Sequence, residues 1–395
     1  MRILFCNDSF PGSFEALAGL LATDSANEVL FLSTFVRKDF SIPGVSRVRL
    51  RLNRDRGGQE KEKDAFFLSW EKAYRVGRQT EHTLMHLRES GFVPDMILAS
   101  SADGVGLFLR HAFPESFIVS YFDRPARMPE TQEERGRLTA SICLQGCQLG
   151  QSNLYFLASE WQRKLFPPLL QNVVRIMPCF VDTDLFSPSA CTETQDVRWR
   201  KHDERIAFHI KDIREEHFKS SLAAIEELIS LRPQCHVSLC IGNKRVSHVL
   251  ESMAPSWPEW FRRRVSVESF ASLADYRNFL CNVSVHVFPD AAVTPLHEML
   301  ECMSCEGCLM VPAHACGSTN FLLPEENCLE WPLSSVKSQA KAVSHALDAK
   351  AHLADMGKKA REMVMLRYGQ KVVLPAHIHL LKEEYESCIK RHRFG

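Results

Sequence analysis

The segment Val293-Thr294-Pro295-Leu296 has the residue types that begin a helix able to bind a phosphate group. Thr294 is a favourable N-cap, Pro295 suits the first helical position, and Glu298 falls in the first turn. The free N–H groups and the positive dipole end of such a helix attract anions. An ordinary capped helix has the same signature, so both interpretations stay open.

Glu301 lies two turns into the same predicted helix, on the face that bears Glu298. A carboxylate placed in this way can bind a ribose diol, as acidic residues do in dinucleotide-binding folds. The alternative is a glutamate that is only solvated. The helix is therefore a candidate for binding both the phosphate and the ribose of a nucleotide.

Two aspartates follow predicted strands in the first half of the chain. Asp103 comes just after the strand predicted at 96–99, and Asp123 ends the strand predicted at 117–122. Both would project from the carboxyl edge of a parallel sheet, where a carboxylate can accept a proton from a reacting hydroxyl. The structural alternatives are a helix cap for Asp103 and an ion pair with Arg124 for Asp123.

Cys302, Cys305 and Cys308 form a C-x2-C-x2-C run, with Cys316 beyond it, and such spacing occurs in iron–sulfur and zinc sites. The run begins inside an apolar helical pattern and crosses into a strand, whereas metal-binding cysteines usually lie on loops that wrap the ion. We therefore expect these cysteines to be buried core residues that bind no metal.

All 14 cysteines, including Cys143 and Cys147 one helical turn apart, are expected to be reduced, buried thiols, since they are spread along a long chain. The first residues, Met1-Arg2-Ile3-Leu4-Phe5, lack the basic region and cleavage site of a signal peptide. No apolar run reaches the ~20 residues of a membrane span. We expect a cytoplasmic protein, with peripheral contact to the inner face of a membrane left open.

The composition is that of a globular protein with two or three domains: 395 residues, of which 45% are hydrophobic and 24% charged. Lys plus Arg and Asp plus Glu both total 48, so no overall charge draws the chain to nucleic acid. Arg47, Arg49 and Arg51 alternate with apolar residues and form either an anion-binding stripe or a solvated strand face. The sequence lacks the motifs of zinc proteases, serine hydrolases and P-loop NTPases.

The elements that must position these residues alternate between strands and helices in both halves of the chain. A strand over 1–6, a Pro11-Gly12 turn, a helix capped by Ser13 and a strand over 28–33 form a first βαβ unit. The polar stretch over 187–204 has the composition of a domain boundary, after which the alternation restarts. We therefore expect two α/β domains with a ligand held between them.

Several segments along nearly the whole chain form a set that occurs together in one known family. They are the first strand and its loop, the end of the first domain, a helix, a Gly-rich turn and the start of the last helix. In order, they are Met1-Arg2-Ile3-Leu4-Phe5, Phe10-Pro11-Gly12-Ser13-Phe14, Ser159-Glu160-Trp161-Gln162-Arg163, Val181-Asp182-Thr183-Asp184-Leu185-Phe186, Leu300-Glu301-Cys302-Met303-Ser304-Cys305, Gly317-Ser318-Thr319-Asn320 and Arg367-Tyr368. With these segments the chain resembles the family 4 glycosyltransferases of GT-B fold, in particular one bacterial branch.

The resemblance implies two Rossmann-like domains that face each other across a cleft. Residues 1–186 would form the acceptor domain, residues 187–368 the nucleotide-sugar donor domain, and the helix of 369–395 would cross back to the first domain. It also implies transfer of a sugar from a nucleotide-sugar to a glycan, lipid-linked or protein acceptor, usually with retention and with no required metal or other cofactor. Formation of a homo-oligomer stays open.

The resemblance also assigns the donor site residue by residue. Glu301 matches the glutamate that binds the donor ribose, while Val293 replaces the family's other glutamate. Lys211 falls where an arginine normally neutralises the diphosphate, and His217 takes the second basic position. The whole donor-binding set is Gly12, Lys211, His217, Thr294, Pro295, Leu296, Glu301, Gly317, Ser318 and Thr319.

Departures from the family pattern leave more than one hypothesis. Ser100 stands where many members have a histidine near the reacting sugar, and Glu306 and Phe180 replace glycines. The first hypothesis is an active transferase in which Asp123, ahead of Asp103, orients or deprotonates the acceptor hydroxyl. The second is a weakened homologue that binds or regulates another transferase. An epimerase or phosphorylase of the same architecture is a third.

Overall fold

The protein divides into two compact units in the computed structural model. The described residues are 1–36, 40–51, 64–101, 104–122, 131–164, 166, 168–191, 204–210, 216–241, 244–289, 296–313, 315 and 321–394. The N-terminal unit comprises Met1–Pro178 with Ala376–Gly395, and the C-terminal unit comprises Cys179–Pro375.

The N-terminal unit has a parallel sheet with helices between its strands. Its described strands are β1 (Arg2–Phe10), β2 (Glu28–Val36), β3 (Val45–Arg49), β4 (Met96–Ser100), β5 (Phe117–Tyr121), β6 (Leu154–Leu157) and β7 (Arg175–Ile176). Its described helices before residue 179 are α1 (Glu15–Ala22), α2 (Ala65–Glu89), α3 (Leu109–Ala112), α4 (Gln132–Leu149), α5 (Glu160–Lys164) and α6 (Pro168–Gln171). The strand order is β3-β2-β1-β4-β5-β6-β7, which reverses between β1 and β4 and so creates a topological switch point there.

The first βαβ unit differs in detail from its prediction. Strand β1 continues to Phe10, four residues beyond the predicted end, and Ser13 lies inside a 3-10 turn rather than capping a helix. Helix α1 begins at Glu15 without a side-chain cap. The buried ring of Phe14 contacts Phe5 and Tyr121, with centroids 5.4 and 4.9 Å apart, so packing rather than capping positions this helix.

The C-terminal unit repeats the same architecture. Its described strands are β8 (Arg205–Ile210), β9 (His236–Ile241), β10 (Val265–Glu268), β11 (Val285–Val287), β12 (Leu309–Val311) and β13 (Cys328–Glu330). Its described helices are α7 (Glu216–Leu231), α8 (Lys244–Met253), α9 (Glu259–Arg262), α10 (Leu273–Cys281), α11 (Leu296–Ser304), α12 (Val336–Asp348) and α13 (Lys350–Arg367). The parallel order β10-β9-β8-β11-β12-β13 places the switch point between β8 and β11. The prediction of two Rossmann-like α/β domains is confirmed.

The last helix, α14 (Gln370–Phe394), begins in the C-terminal unit, and its residues from Ala376 onward belong to the N-terminal unit. Pro375 lies inside the helix at this division. His377, just after it, bonds to Tyr121 at the end of β5, with 2.6 Å between Nε2 and the hydroxyl oxygen. This contact fastens the helix to the N-terminal sheet.

The boundary between the units lies eight residues earlier than the predicted 186. The backbone N–H of Val181 donates to the carbonyl of Tyr368 over 2.9 Å, and the N–H of Gln370 donates to the carbonyl of Val181 over 2.8 Å. Val181 and Phe186 are also buried in a core cluster of the C-terminal unit. Residues 179–186 therefore belong to that unit.

Two predictions about the cysteines are wrong. Cys143 and Cys147 are exposed, because α4 buries the face that carries Ala140, Leu144 and Gln148 instead. Cys191 and Cys281 form a disulfide, so not every cysteine is a free thiol. The described helices include none with the length and apolar character that a membrane span requires.

Candidate functional site

Most of the predicted site residues lie outside the described part of the chain. These are Asp103, Asp123, Lys211, Thr294, Pro295, Gly317, Ser318 and Thr319. His217 and Leu296 lie in α7 and α11, where only their backbone is described. Gly12 in the N-terminal unit and Glu301 in the C-terminal unit are described fully. The roles assigned to the others stay predictions.

Gly12 lies at the carboxyl end of β1, beside the switch point of the N-terminal sheet. Its φ of +54° is in the left-handed region, which favours glycine. A Cβ at this position would lie 2.2 Å from Nδ2 of Asn7. Asn7 is itself buried and donates a hydrogen bond to the carbonyl of Ser9 over 3.0 Å. The turn therefore requires glycine, and the Asn7 side chain packs against it.

Ser100 ends β4 on the other side of this switch point. It is buried, and the N–H of the following residue, Ser101, donates to the carbonyl of Tyr121 over 2.9 Å. The amide of Gln145 lies 3.3 Å from the Ser101 hydroxyl. A serine hydroxyl does not titrate near neutral pH, so Ser100 cannot replace the acid–base function of an imidazole.

Glu301 lies on α11, which follows β11 at the switch point of the C-terminal sheet. The hydroxyl of Tyr276 donates a hydrogen bond to its Oε2 over 3.1 Å. The pKa of the Glu301 carboxyl is raised to about 7, mainly by burial; the Tyr276 hydrogen bond lowers it in part, and the nearby charge of Glu298 adds to the rise. The side chain is thus a hydrogen-bonding carboxyl held on a helix at the ligand-binding edge of the sheet.

Tyr276 is a site residue that the sequence did not reveal. It lies on α10, and its ring packs against Phe270 and Phe186 with centroids 5.0 and 6.0 Å apart. Burial raises the pKa of its hydroxyl well above the ordinary value, so it remains a donor. Because Tyr276 precedes Glu301 by 25 residues, only helix packing brings them together.

The chain after α11 explains why the family pattern has glycine at position 306. Glu306 has a φ of +60°, a left-handed conformation that is strained for residues with a Cβ. The N–H of Gly307 then donates to the carbonyl of Cys302 over 2.8 Å and closes the helix end. In this chain Glu306 adopts the left-handed conformation that glycine would adopt without strain.

The three cysteines of the C-x2-C-x2-C run are buried, as predicted. Cys302 and Cys305 belong to the core cluster on one face of the C-terminal sheet, and Cys308 belongs to the cluster on the other. The Cys308 thiol lies 3.5 Å from the sulfur of Met356. The three sulfur atoms of the run therefore do not meet at one site.

Part of the chain matches the sequence model of a known family. The sequence model of the glycosyl transferase family 4 group matches residues 25–186. A comparison with curated proteins gives no significant match.

Solved structures share the fold over nearly the whole chain. Sucrose-phosphate synthase from Thermosynechococcus elongatus has a TM-score of 0.73 at 16% identity, covering 98% of this chain and 100% of the other. Anabaena Alr3699/HepE, solved in complex with UDP and glucose, has a TM-score of 0.69 at 13% identity, covering 97% of this chain and 99% of its own. WaaG, a glycosyltransferase involved in lipopolysaccharide biosynthesis, has a TM-score of 0.65 at 13% identity, covering 95% of this chain and 98% of its own.

Proposed function

We propose that this chain, which has the GT-B fold, is a family 4 glycosyltransferase and transfers a sugar from a nucleotide-sugar to a glycan, lipid-linked or protein acceptor. The observation that carries the proposal is the position of Glu301 on α11, beside the switch point where doubly wound sheets bind nucleotides. The hydrogen bond from Tyr276 holds this carboxyl in place for a ribose diol.

Lys211 and the start of α11 would bind the diphosphate. Lys211 follows the last residue of β8 in the sequence, and residues 290–295 precede α11. As the glycosidic bond breaks, negative charge grows on the departing diphosphate and positive charge grows on the sugar ring. A cation and helix N–H groups at the diphosphate stabilise that charge, which favours transfer without a required metal.

Asp123 is our candidate for orienting or deprotonating the acceptor hydroxyl, with Asp103 second. Asp123 follows Phe122, whose N–H donates to the carbonyl of Phe156 at the carboxyl end of the N-terminal sheet. Gly12 lies at the same edge, in a turn that leaves no room for a side chain. A carboxylate at this edge can supply the acid–base function that Ser100 lacks. We propose retention of configuration.

UDP-glucose is the first donor to test, because Alr3699/HepE shares the fold and is solved in complex with UDP-glucose. Calorimetric titration with UDP measures donor binding, and release of UDP from UDP-, GDP- and ADP-sugars measures turnover. Glu301→Gln should weaken UDP binding about tenfold, since an amide replaces a carboxyl oxygen that would accept from the ribose hydroxyls. Glu306→Gln, the same change on an exposed glutamate just beyond α11, is the control and should bind as the wild type does.

Asp123→Asn should lower turnover about 100-fold while UDP binding stays nearly intact, the signature of a group that acts in the transition state. Wild-type turnover in this variant would remove Asp123 from the mechanism. Equal UDP affinity of wild type, Glu301→Gln and Glu306→Gln would remove Glu301 from the donor site. A wild type that binds UDP but transfers no sugar from any donor would favour the binding or regulatory hypothesis.

A further inference from the structure

Two histidines and a cysteine meet inside the core of the C-terminal unit. Nε2 of His209 lies 3.1 Å from Nδ1 of His286. The sulfur of Cys302 lies 3.6 Å from Nδ1 of His286 and 3.9 Å from Nε2 of His209. The three ligand atoms thus form a compact triangle, in which every corner is an atom type that binds transition metals.

The triangle is assembled by the elements at the switch point. His209 lies on β8, His286 on β11 and Cys302 on α11, which packs over the same face of the sheet. In the strand register, His286 aligns with Ala207, so its side chain is on the same face as that of His209. His286 and Cys302 have 0% of their surface exposed and His209 has 7%.

We propose that His209, His286 and Cys302 are the protein ligands of a zinc ion buried in the C-terminal unit. In tetrahedral zinc, with Zn–N bonds of about 2.05 Å and Zn–S bonds of about 2.3 Å, two nitrogen ligands lie about 3.3 Å apart. Nitrogen and sulfur ligands lie about 3.6 Å apart in the same geometry. The distances of 3.1, 3.6 and 3.9 Å differ from these values by no more than about 0.3 Å.

Contacts outside the triangle hold both imidazole rings, and the contact of His286 is of the kind usual for a metal-binding histidine. Nε2 of His286 lies 3.2 Å from the carbonyl of Leu280, so this nitrogen carries the proton and Nδ1 presents its lone pair to the triangle. The His209 ring stacks on Phe288, with centroids 4.1 Å apart and planes 7° apart, which fixes its orientation. These contacts set the tautomer of His286 and the plane of the His209 ring.

Without a metal ion, the Nε2–H of His209 can donate to Nδ1 of His286 over 3.1 Å. The Cys302 thiol then keeps only weak contacts with the two rings, at 3.6 and 3.9 Å. A zinc ion binds all three atoms at once and leaves its fourth position for a water molecule or an anion. Because the ligands are enclosed, the ion would be taken up as the unit folds.

The expectation that Cys302, Cys305 and Cys308 bind no metal is thereby revised for Cys302 alone. The ion would join β8, β11 and α11, and so would hold the helix that carries Glu301 to the two central strands. This inference concerns the folded unit itself and does not depend on the donor or the acceptor.

Elemental analysis and cobalt spectroscopy of the full chain test the site. Protein produced with zinc in the medium and purified through a histidine-free tag should contain about one zinc per chain. After unfolding with a chelator and refolding with Co²⁺, it should show the thiolate-to-cobalt charge-transfer band and the intense visible bands of tetrahedral cobalt. Cys302→Ala should lose the charge-transfer band and bind at least about tenfold less zinc.

Cys305→Ala and Cys308→Ala are matched controls, since both remove a buried thiol of the same unit outside the triangle. Both should retain the zinc and the cobalt spectrum. If Cys302→Ala does not fold, His286→Gln is the second variant and must show the same loss of zinc. The cobalt spectrum of the wild type reports independently whether a thiolate binds the ion. A zinc-free wild type without cobalt bands would overturn the proposal. Loss of the ion from either control variant would overturn it as well, because the ion would then be bound by the C-x2-C-x2-C run.

Discussion

The protonation of single side chains in this protein follows from what each one packs against. His377 is buried beside Phe156, with ring centroids 5.1 Å apart, and its Nε2 lies 2.6 Å from the hydroxyl of Tyr121. Burial lowers the pKa of His377 to about 4 and raises the pKa of Tyr121 well above its ordinary value. The tyrosine therefore remains protonated and donates to a neutral imidazole.

His377 should make the stability of the protein depend on pH. When the pH is lowered from 7 to 5, the histidine of the unfolded chain, with a pKa of about 6.5, takes up a proton and the folded one does not. The free energy of unfolding therefore decreases as the pH is lowered. We expect the wild type to lose about 2 kcal/mol more over this range than His377→Gln, whose side chain can still accept from Tyr121. Urea unfolding at both pH values measures the difference.

His379→Gln is the control for this prediction, because His379 is exposed on the same helix and interacts with Glu383. It should lose stability between pH 7 and 5 as the wild type does. An equal loss in wild type and His377→Gln would show that His377 titrates as freely in the folded protein as in the unfolded chain.

At the scale of elements, one side chain joins α13 to the end of α11 and to the first residues of the C-terminal unit. The Arg361 guanidinium donates to the carbonyl of Ser304, to the carbonyl of Phe186 over 3.1 Å and to the hydroxyl of Ser187 over 3.2 Å. The Ser304 hydroxyl donates to the same Phe186 carbonyl over 2.6 Å. This network holds residues 183–187 against two helices.

Arg361→Met should destabilise the C-terminal unit by about 2–3 kcal/mol. Methionine keeps the aliphatic packing of the side chain, but it leaves carbonyl groups without their charged donor. Denaturant unfolding measures the loss of unfolding free energy, and hydrogen exchange of β8 and β11 in a separate experiment assigns it to the C-terminal unit. Arg367→Met removes an exposed arginine from the same helix and should change stability by less than about 0.5 kcal/mol. Similar effects of the two substitutions would contradict a special role for Arg361.

At the scale of the whole molecule, the chain repeats one architecture twice. Both units have parallel sheets whose order reverses at the first strand of the unit, between β1 and β4 and between β8 and β11. Each unit therefore has its own ligand-binding edge. Glu301 lies in the C-terminal unit, and the Gly12 turn lies in the N-terminal unit.

A nucleoside diphosphate should accordingly protect one unit more than the other. UDP at 100 times its dissociation constant adds about 2.7 kcal/mol to the stability of the state that binds it. We expect exchange in α11 and β8 to slow by up to about 100-fold, while α2 exchanges at its ligand-free rate. Hydrogen exchange with mass spectrometry measures both. Protection confined to the turn after β1 would place the nucleotide in the N-terminal unit instead.

Local patterns in the sequence determined the fold class, the strand at His236–Ile241, the turn at Gly12 and the helix that carries Glu301. They could do so because strand and helix periodicity, N-caps and glycine turns act over a few residues. The tertiary structure alone decided that residues 179–186 join the second unit through Val181 and Tyr368. Parallel strand register and helix packing brought His209 to His286, 77 residues away, and to Cys302, 93 residues away, a meeting that no local pattern encodes.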